Sequence, residues 1–280
     1  MRVLTSPAEM REWSDSARRD GRTIVLVPTM GALHEGHIRL MHAARDHGDT
    51  VVASIFVNPL QFNVRSDFDA YPRPIDDDVA QCAAAGVDAV YAPTPAAMYP
   101  EGFQTHVEPG DLASTLEGEH RPGHFRGVAT VVTKLFLAVR PDTAVFGEKD
   151  FQQLAIIRRM TTDLDIGTRI VAAPTVREPD GLAMSSRNRR LAPADRAAAV
   201  CISRGLFAAR ERHSHGTHDT TALAAVAREP IDAEPRARLE YLEVVHPDTL
   251  EPVGDARVAV IVVAAWFGDV RLIDNVRLGA

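Results

Sequence analysis

The chain has few cysteines and no long hydrophobic run. Only Cys82 and Cys201 occur, each inside an apparent helical pattern, so we expect reduced, buried thiols and no disulfide framework. The longer apolar stretches, such as 258–267, have about half the length that a membrane helix needs, so no contact with a membrane is expected. Because the N-terminus shows no basic region followed by an apolar core, we expect a cytoplasmic protein.

Lysine and net positive charge are also scarce. A formal net charge of -7 and an isoelectric point near 5.9 argue against a nucleic-acid-binding protein, which needs a basic face to neutralise phosphates. Lys134 and Lys149 are the only lysines among 31 lysines and arginines. Biased composition explains this ratio most simply, but a lysine in such a background can also mark a place that needs a compact ammonium group.

Two common nucleotide-binding motifs are missing after the first predicted strand, 23–28. Neither a Walker A sequence nor a G-x-G-x-x-G fingerprint follows it. Instead, His34 and His37 surround Gly36 where the strand gives way to a helical pattern. A helix N-terminus offers unpaired N–H groups and a positive dipole end, and a glycine lets a phosphate or ribose approach. The pattern favours a nucleotide site over histidines that only cap or pack a helix, and a zinc helix would need a spacing of four residues.

Alternating apolar runs and helical patterns between residues 23 and 173 predict an α/β fold with a parallel sheet. The predicted strands are 23–28, 50–57, 87–91, 143–146 and 168–172, and the predicted helices are 36–46, 74–85, 127–138 and 151–164. The proline-rich segment 92–125 is predicted to be irregular. Further along, helical patterns and alternating runs predict a smaller α+β domain. The helices are 193–211 and 217–229, and the runs are 238–245, 257–265 and 270–274. We therefore predict one domain over 1–175 and a second over 176–280.

Polar clusters marked by glycine, proline or serine follow several of these strands. They are 34–37 after the first strand, 58–62 after the second, 147–150 after the fourth and, beyond a loop, 184–187 after the last. In an open parallel sheet, ligands bind outside the carboxyl ends of the strands. We therefore expect the four clusters to share one edge of the sheet.

Taken one at a time, these clusters have simpler explanations. The pair 58–59 can form a plain turn, and Gln61 and Gln153 can be solvated surface amides. Lys149 can pair with a neighbouring carboxylate. The segment 185–187 can be an ordinary loop, although two hydroxyls beside a guanidinium offer many donors for phosphate oxygens. Their shared position at the sheet edge is what favours a common site.

The chemistry that fits is nucleotidyl transfer from ATP, in which the protein positions reactants and stabilises charge on phosphate oxygens. A carboxylate substrate can attack the α-phosphorus itself, so no side-chain nucleophile is required. Donors at the helix terminus, with Lys149 and Arg187, would stabilise the departing pyrophosphate. Uncharged amides such as Gln61 and Gln153 would suit a substrate rich in hydroxyl groups.

Long, ordered motifs extend over nearly the whole chain. They are Pro-Thr-Met-Gly-Ala-Leu-His-Glu-Gly-His at 28–37, Phe-Val-Asn-Pro-Leu-Gln-Phe at 56–62, Arg-Pro-Gly-His-Phe-Arg-Gly-Val at 121–128, Phe-Gly-Glu-Lys-Asp at 146–150, Gln-Gln-Leu at 152–154, Met-Ser-Ser-Arg-Asn at 184–188, Tyr-Leu-Glu-Val-Val at 241–245 and Arg-Leu-Ile-Asp-Asn at 271–275. Together they resemble the pantothenate synthetase, or pantoate–β-alanine ligase, family. The resemblance implies a Rossmann-like domain of the nucleotidylyltransferase and class I aminoacyl-tRNA synthetase type, a smaller C-terminal domain and a homodimer.

The same resemblance implies the reaction. ATP and pantoate give pantoyl adenylate and pyrophosphate, after which β-alanine attacks the acyl carbon to give pantothenate and AMP. Magnesium accompanies ATP, and its ligands stay unassigned, since Asp77 and Asp78 are merely acidic residues near the second motif.

Site residues follow from the resemblance. His37, His34, Lys149 and Arg187 are the implied catalytic residues, with His37 as the acid. The implied ATP contacts are Met30, Gly31, Ala32, Leu33, His34, Glu35, Gly36, His37, Gly147, Glu148, Lys149, Asp150, Val176, Met184, Ser185, Ser186 and Arg187, those from 184 to 187 forming a mobile phosphate loop. Gln61 and Gln153 are implied pantoate ligands, Gln61 also lies near the β-alanine position, and Arg121 and His124 line the entrance. Whether His37 transfers a proton or only binds phosphate stays open.

Two alternatives belong to different classes. One is another adenylyl-transferring enzyme of the same superfamily, such as a tRNA-charging relative, although the acidic charge and the missing anticodon-binding domain oppose it. The other is a nucleotide-binding regulator without activity, which the joint presence of His34, His37, Lys149 and Arg187 opposes.

Overall fold

The computed structural model describes residues 1–279, and the chain divides into two compact units. The first unit contains residues 1–148 and 156–174. The second contains residues 149–155 and the chain from residue 175 onward. No helix among the described residues is long and apolar enough to cross a membrane.

Six strands form a parallel sheet in the first unit. They are β1 (Arg2–Leu4), β2 (Ile24–Thr29), β3 (Thr50–Ile55), β4 (Ala89–Tyr91), β5 (Thr143–Gly147) and β6 (Arg169–Ala173). Their order across the sheet is β1-β4-β3-β2-β5-β6, and every pairing is parallel. The strand order reverses between the neighbours β2 and β5, which makes this the switch point of the sheet. The predicted α/β fold with a Rossmann-like sheet is confirmed.

Helices flank these strands. They are α1 (Pro7–Arg19), α2 (Glu35–Arg45), α3 (Arg65–Ala70), α4 (Ile75–Ala84), α5 (Pro95–Met98), α6 (Glu117–His120), α7 (His124–Val139) and α8 (Phe151–Asp163), with 3-10 turns at Pro59–Gln61 and Gly110–Ala113. The side chains of Ile24, Val25, Leu26 and Val27 are fully buried in β2. Such a continuous apolar strand is expected where helices cover both faces of a parallel sheet.

The second unit is built on an antiparallel sheet. Its strands are β7 (Ala237–Val245), β8 (Ala259–Phe267) and β9 (Val270–Leu278), in that order, and its helices are α9 (Pro193–Ala198), α10 (Val200–Ser214) and α11 (Thr220–Asp232), with a 3-10 helix at Ser186–Arg190. Buried residues of α10, α11 and β8, including Leu206, Leu223 and Ile261, form its core. The predicted smaller α+β domain is therefore confirmed.

Close packing between α10 and α11 yields a stability prediction at Gly205. A Cβ there would lie 2.0 Å from the backbone oxygen of Ala227. We expect Gly205→Ala to destabilise the protein by about 1–3 kcal/mol because the helices must separate. The midpoint of thermal unfolding measures this, with Gly254→Ala as the control, since a Cβ at Gly254 meets nothing within 4 Å. Equal midpoints in the two variants would contradict the prediction.

Both cysteines are buried and free, as expected. Burial raises the pKa of Cys82 to about 12 and that of Cys201 to about 11, so both thiols stay protonated at neutral pH.

Three sequence predictions of elements need correction. The helix predicted over 193–211 is two helices, because the chain tightens at Ala199, where the N–H of Ile202 donates to its carbonyl in an i to i+3 bond. The segment 92–125, predicted to be irregular, contains α5 and α6, which are too short to show periodicity. The N-terminal β1 and α1 were not predicted, since a strand of three residues carries no pattern of its own.

Candidate active site

The histidine turn lies at the switch point of the sheet. β2 ends at Thr29, and α2 begins at Glu35, so the connecting turn leaves the carboxyl end of the strand. β5, the neighbour of β2, ends at Gly147, and a Cβ on Gly147 would lie 4.0 Å from the side chain of Leu40 in α2. The turn and the end of β5 therefore share the edge where open α/β sheets bind ligands.

His34 and His37 each use one ring nitrogen for the backbone. His34 is the N-cap of α2, and its Nδ1 accepts from the N–H of Gly36 at 3.1 Å. The Nδ1 of His37 accepts from the N–H of His34 at 3.3 Å, and the two ring centroids are 4.0 Å apart. A backbone N–H can only donate, so each neutral ring carries its hydrogen on Nε2. The backbone contacts of both rings therefore engage Nδ1 and not Nε2.

A carboxylate that sequence reasoning did not assign lies against the turn. Asp78, in the first turns of α4, is 1% exposed. Its Oδ2 accepts from the N–H of Ala32 and its Oδ1 from the N–H of Leu33, both at 2.8 Å. A separation of 46 residues from Ala32 left no local signal of this contact.

Gln61 is held in one orientation by Asn58, the N-cap of the 3-10 turn. The Asn58 amide nitrogen donates to Gln61 Oε1 and to the Gly127 carbonyl, each at 3.0 Å. Its oxygen accepts from the Tyr99 hydroxyl at 2.8 Å and from the N–H of Leu60 at 3.3 Å. These four bonds allow the Asn58 amide only one orientation, so its nitrogen must face the Gln61 side-chain oxygen. The NH₂ group of Gln61 is therefore the part of that amide left to contact a ligand.

The contacts of Gln61 include two residues that the sequence predicted to line the entrance, Arg121 and His124. The Gln61 Nε2 lies 3.1 Å from the Met30 sulfur, and its backbone oxygen accepts from His124 Nδ1 at 2.8 Å and from Arg121 at 3.2 Å. Gln61 is buried, so the interpretation as a solvated amide was wrong. Gly127 is also constrained, because a Cβ there would lie 2.3 Å from the Leu60 oxygen. Arg121 and His124 thus fix the backbone of Gln61, a candidate substrate-binding residue.

In the second unit, Lys149 is half-buried and lies among charges of both signs. Desolvation lowers its pKa most, Asp150 and Asp274 oppose that shift, and Arg187 and Arg177 add to it. No salt bridge to Lys149 occurs among residues 1–279, so a structural ion pair with its sequence neighbours does not explain it. Its ammonium is therefore poised to gain from an anion.

Strand β9 anchors the backbone of Lys149. The Asn275 amide donates to the Lys149 carbonyl at 2.9 Å, and Asp274 pairs with Arg177 through contacts of 2.7 and 3.0 Å. Asp274 is buried, and removal of one partner of such a pair is costly. The motif over 271–275 thus supports the lysine, although Asn275 lies 126 residues further along the chain.

The serine loop begins at a closed turn. The N–H of Met184 donates to the Val176 carbonyl at 2.9 Å, and Arg177 and Ala183 form an antiparallel bridge, so two predicted ATP contacts lie side by side. Ser185 caps the 3-10 helix by accepting from the N–H of Arg187 at 3.2 Å. The segment is therefore a capped 3-10 turn and not a featureless loop.

The remaining predicted contacts divide between the units. Glu148, in the first unit, donates its N–H to the Ala173 carbonyl at 2.8 Å. Asp150, exposed, and Gln153, half-buried, belong to the second unit, as does Lys149. Among residues 1–279 no group of three or more His, Cys, Asp or Glu side chains is arranged to hold a metal ion.

The parallel sheet with the capped histidine turn at its switch point is a Rossmann-like domain, the class of fold that binds nucleotides at this edge. A sequence model of the Pantoate-beta-alanine ligase family matches residues 2–277, and the chain belongs to this family.

Similar proteins are alike over their full length. Pantothenate synthetase 1 of Bradyrhizobium diazoefficiens is 52% identical over 281 residues, covering 99% of this chain and 98% of that protein. A crystal structure of pantothenate synthetase from Thermus thermophilus matches with a TM-score of 0.92 and 45% identity, covering 100% of both chains. A crystal structure of the Francisella tularensis pantoate-beta-alanine ligase, complexed with beta-gamma ATP and beta-alanine, matches with a TM-score of 0.80 and 34% identity, covering 99% of this chain and 97% of that one.

Proposed function

We propose that this protein is a ligase that condenses pantoate with β-alanine at the expense of ATP, through a pantoyl adenylate. The observation that carries this is the family match over residues 2–277, because it includes both units and every candidate site residue. In the first step a pantoate carboxylate oxygen bonds to the α-phosphorus while the bond to the β-phosphate breaks, which releases pyrophosphate. In the second, the β-alanine amine attacks the acyl carbon, AMP leaves, and the amine proton passes to solvent.

In the first unit, the segment 30–37 and residues 147 and 148 are the proposed ATP contacts. The Nδ1 atoms of His34 and His37 accept from backbone N–H groups, so each neutral ring carries its hydrogen on Nε2. We therefore assign both Nε2–H groups the role of donors to phosphate oxygens. Such donors act on charge that develops during the reaction, and they cost no rearrangement at that moment. Transfer of a proton by a neutral ring is not required for this role.

In the second unit, Lys149, Asp150, Val176 and the segment 184–187 are the proposed ATP contacts. Lys149 and Arg187 would neutralise the departing pyrophosphate, with residues 184–187 acting as a mobile phosphate loop. A lysine whose charged form is disfavoured by burial gains more from a phosphate than a solvated lysine does. The proposed domains are 1–175, binding ATP and pantoate, and 176–280, carrying the loop; they differ from the two compact units in residues 149–155, which belong to the second unit.

Pantoate is proposed to bind Gln61 and Gln153, and β-alanine to bind near Gln61. The fixed orientation of the Gln61 amide offers N–H donors, which suit carboxylate and hydroxyl oxygens. Asn58 therefore determines which groups Gln61 can bind, because it orients the Gln61 amide through a hydrogen bond.

Magnesium, the homodimer and a cytoplasmic location complete the proposal. Mg²⁺ usually binds through substrate phosphates and one or two carboxylates, so it would enter as the ATP complex. No group of three His, Cys, Asp or Glu side chains among residues 1–279 is arranged to hold the ion without ATP. Size-exclusion chromatography with light scattering measures the mass of the protein in solution and tests the dimer. The mass of a monomer would contradict it.

Pantoate-dependent exchange of labelled pyrophosphate into ATP tests the function. We expect exchange only with pantoate, and formation of pantothenate and AMP when β-alanine is added. Exchange driven by an amino acid would instead indicate another adenylyl-transferring enzyme. ATP binding without exchange would indicate a regulator that has lost the chemistry.

The lowered pKa of Lys149 predicts how kcat/KM for ATP depends on pH on the alkaline side of the profile. As pH rises through this pKa the ammonium loses its charge, so kcat/KM for ATP should fall at a pH below 10.5, the ordinary value for lysine. Arginine keeps its charge in that range, so the limb should be absent in Lys149→Arg, whatever its absolute rate. The same limb in both proteins, with folding intact by circular dichroism, would show that another group titrates.

A further inference from the structure

The carboxylate of Asp78 is the feature of this site that the proposed reaction does not use. It lies at the start of α4 and is 1% exposed. Among residues 1–279 no arginine or lysine forms a salt bridge with it, and its hydrogen-bond partners are the N–H groups of Ala32 and Leu33, both at 2.8 Å. A buried carboxylate without a cation is normally unfavourable, so its two strong amide donors must hold it there.

The backbone that Asp78 holds is in a conformation it would not adopt by itself. Gly31 and Ala32 have φ values of +80° and +50°, and Ala32 is not a glycine. Positive φ is uncommon for such a residue and persists where the surroundings enforce it. Gly31 also has no room for a side chain, because a Cβ would lie 2.8 Å from Asp78 Oδ2 and 3.0 Å from Ile55.

This strained turn leads directly to the N-cap of α2. Leu33, held by Asp78 Oδ1, precedes His34, whose ring caps the helix and whose N–H bonds to His37. The N–H groups of Gly31, Ala32, Leu33, His34 and Gly36 all donate to protein atoms, and these bonds fix the path of the backbone through the turn. The direction of the two imidazoles therefore depends on the path of residues 31–33.

We propose that Asp78 is a positioning residue for adenylation, which fixes residues 31–33 and thereby aims the Nε2–H groups of His34 and His37 at the phosphates of ATP. This rests on the proposed ATP role of the histidine turn. Pyrophosphate leaves in the first step, so the turn matters most before β-alanine reacts. Asp78 should consequently affect one half-reaction and not the other.

Asp78→Asn tests this because it keeps the shape but places an NH₂ group opposite a backbone N–H. We expect pantoate-dependent pyrophosphate exchange to fall roughly tenfold or more, while the KM for pantoate and the rate of β-alanine with supplied pantoyl adenylate change by less than about threefold. Gly31→Ala perturbs the same contact while leaving the charge, and should show the same selective loss. Asp76→Asn, which removes an exposed charge from the same first turn of α4, is the matched control.

A merely structural carboxylate would lower both half-reactions in proportion to the folded fraction, measured by circular dichroism, and that result would overturn the proposal. Normal exchange in both Asp78→Asn and Gly31→Ala would overturn it as well. If His34→Ala and His37→Ala also left exchange unchanged, the ATP role of the turn itself would fail, which separates the two conclusions.

Discussion

Replacing Lys149 with alanine should lower pantoate-dependent pyrophosphate exchange by about 10³-fold, the scale expected when a preorganised charge on a leaving group is removed. Its ammonium is desolvated and no carboxylate pairs with it among residues 1–279, so its binding energy is available to phosphate. For the same reason the fold should survive. The rate of exchange at saturating ATP and the unfolding midpoint measure the two expectations.

Lys134→Ala is the matched control for Lys149→Ala because it removes the only other lysine. Its ammonium lies 5.9 Å from the Tyr99 ring centroid and 5.3 Å from that of Phe103, contacts that affect stability by about 0.5–1 kcal/mol. Exchange should persist in this variant. If Lys149→Ala retained near-normal exchange, its phosphate role would be refuted.

His37→Asn and His37→Gln should separate hydrogen bonding from proton transfer. Asparagine places an oxygen near the position of Nδ1, so it keeps the bond from the His34 N–H but loses the outward donor. Glutamine extends an N–H toward the position of Nε2. If His37 acts only as a donor, exchange should fall by about 10²-fold in His37→Asn and far less in His37→Gln.

The opposite outcome would favour the acid role of His37. An equal, severe loss in both variants would show that neither donor position replaces the ring, as expected for a proton-transferring imidazole. The His34 N–H bond to Nδ1 is the reason to expect the first result, because it keeps the hydrogen of the neutral ring on Nε2.

Local patterns were sufficient where the chain repeats a simple period. The run that became β2 is apolar throughout, and the helix after it carries buried Met41 and Ala44 at helical spacing, so strand, turn and helix were predicted to within a residue or two. The interruption of the helix at Ala199 and the short helices within 92–125 carry no such period. Their type depends on contacts that sequence spacing does not record.

The candidate site divides in the same way. His34, Gly36 and His37 are adjacent in sequence, so their place at a helix N-terminus was predictable. Asn58 could be taken as a turn residue, but its full set of bonds includes Tyr99 and Gly127, which are 41 and 69 residues away. No local pattern indicates that it orients the Gln61 amide.

By itself, the sequence determined the alternation of strands and helices, the family and the chemical types of the site residues, because these depend on short-range periodicity and on motifs read along the chain. Only the tertiary structure decided which nitrogen of each histidine is engaged, how the Gln61 amide is oriented and that Asp78 holds the turn. Hydrogen-bond direction and burial arise from residues that are distant in sequence, and they exist only once the sheet has brought those residues together.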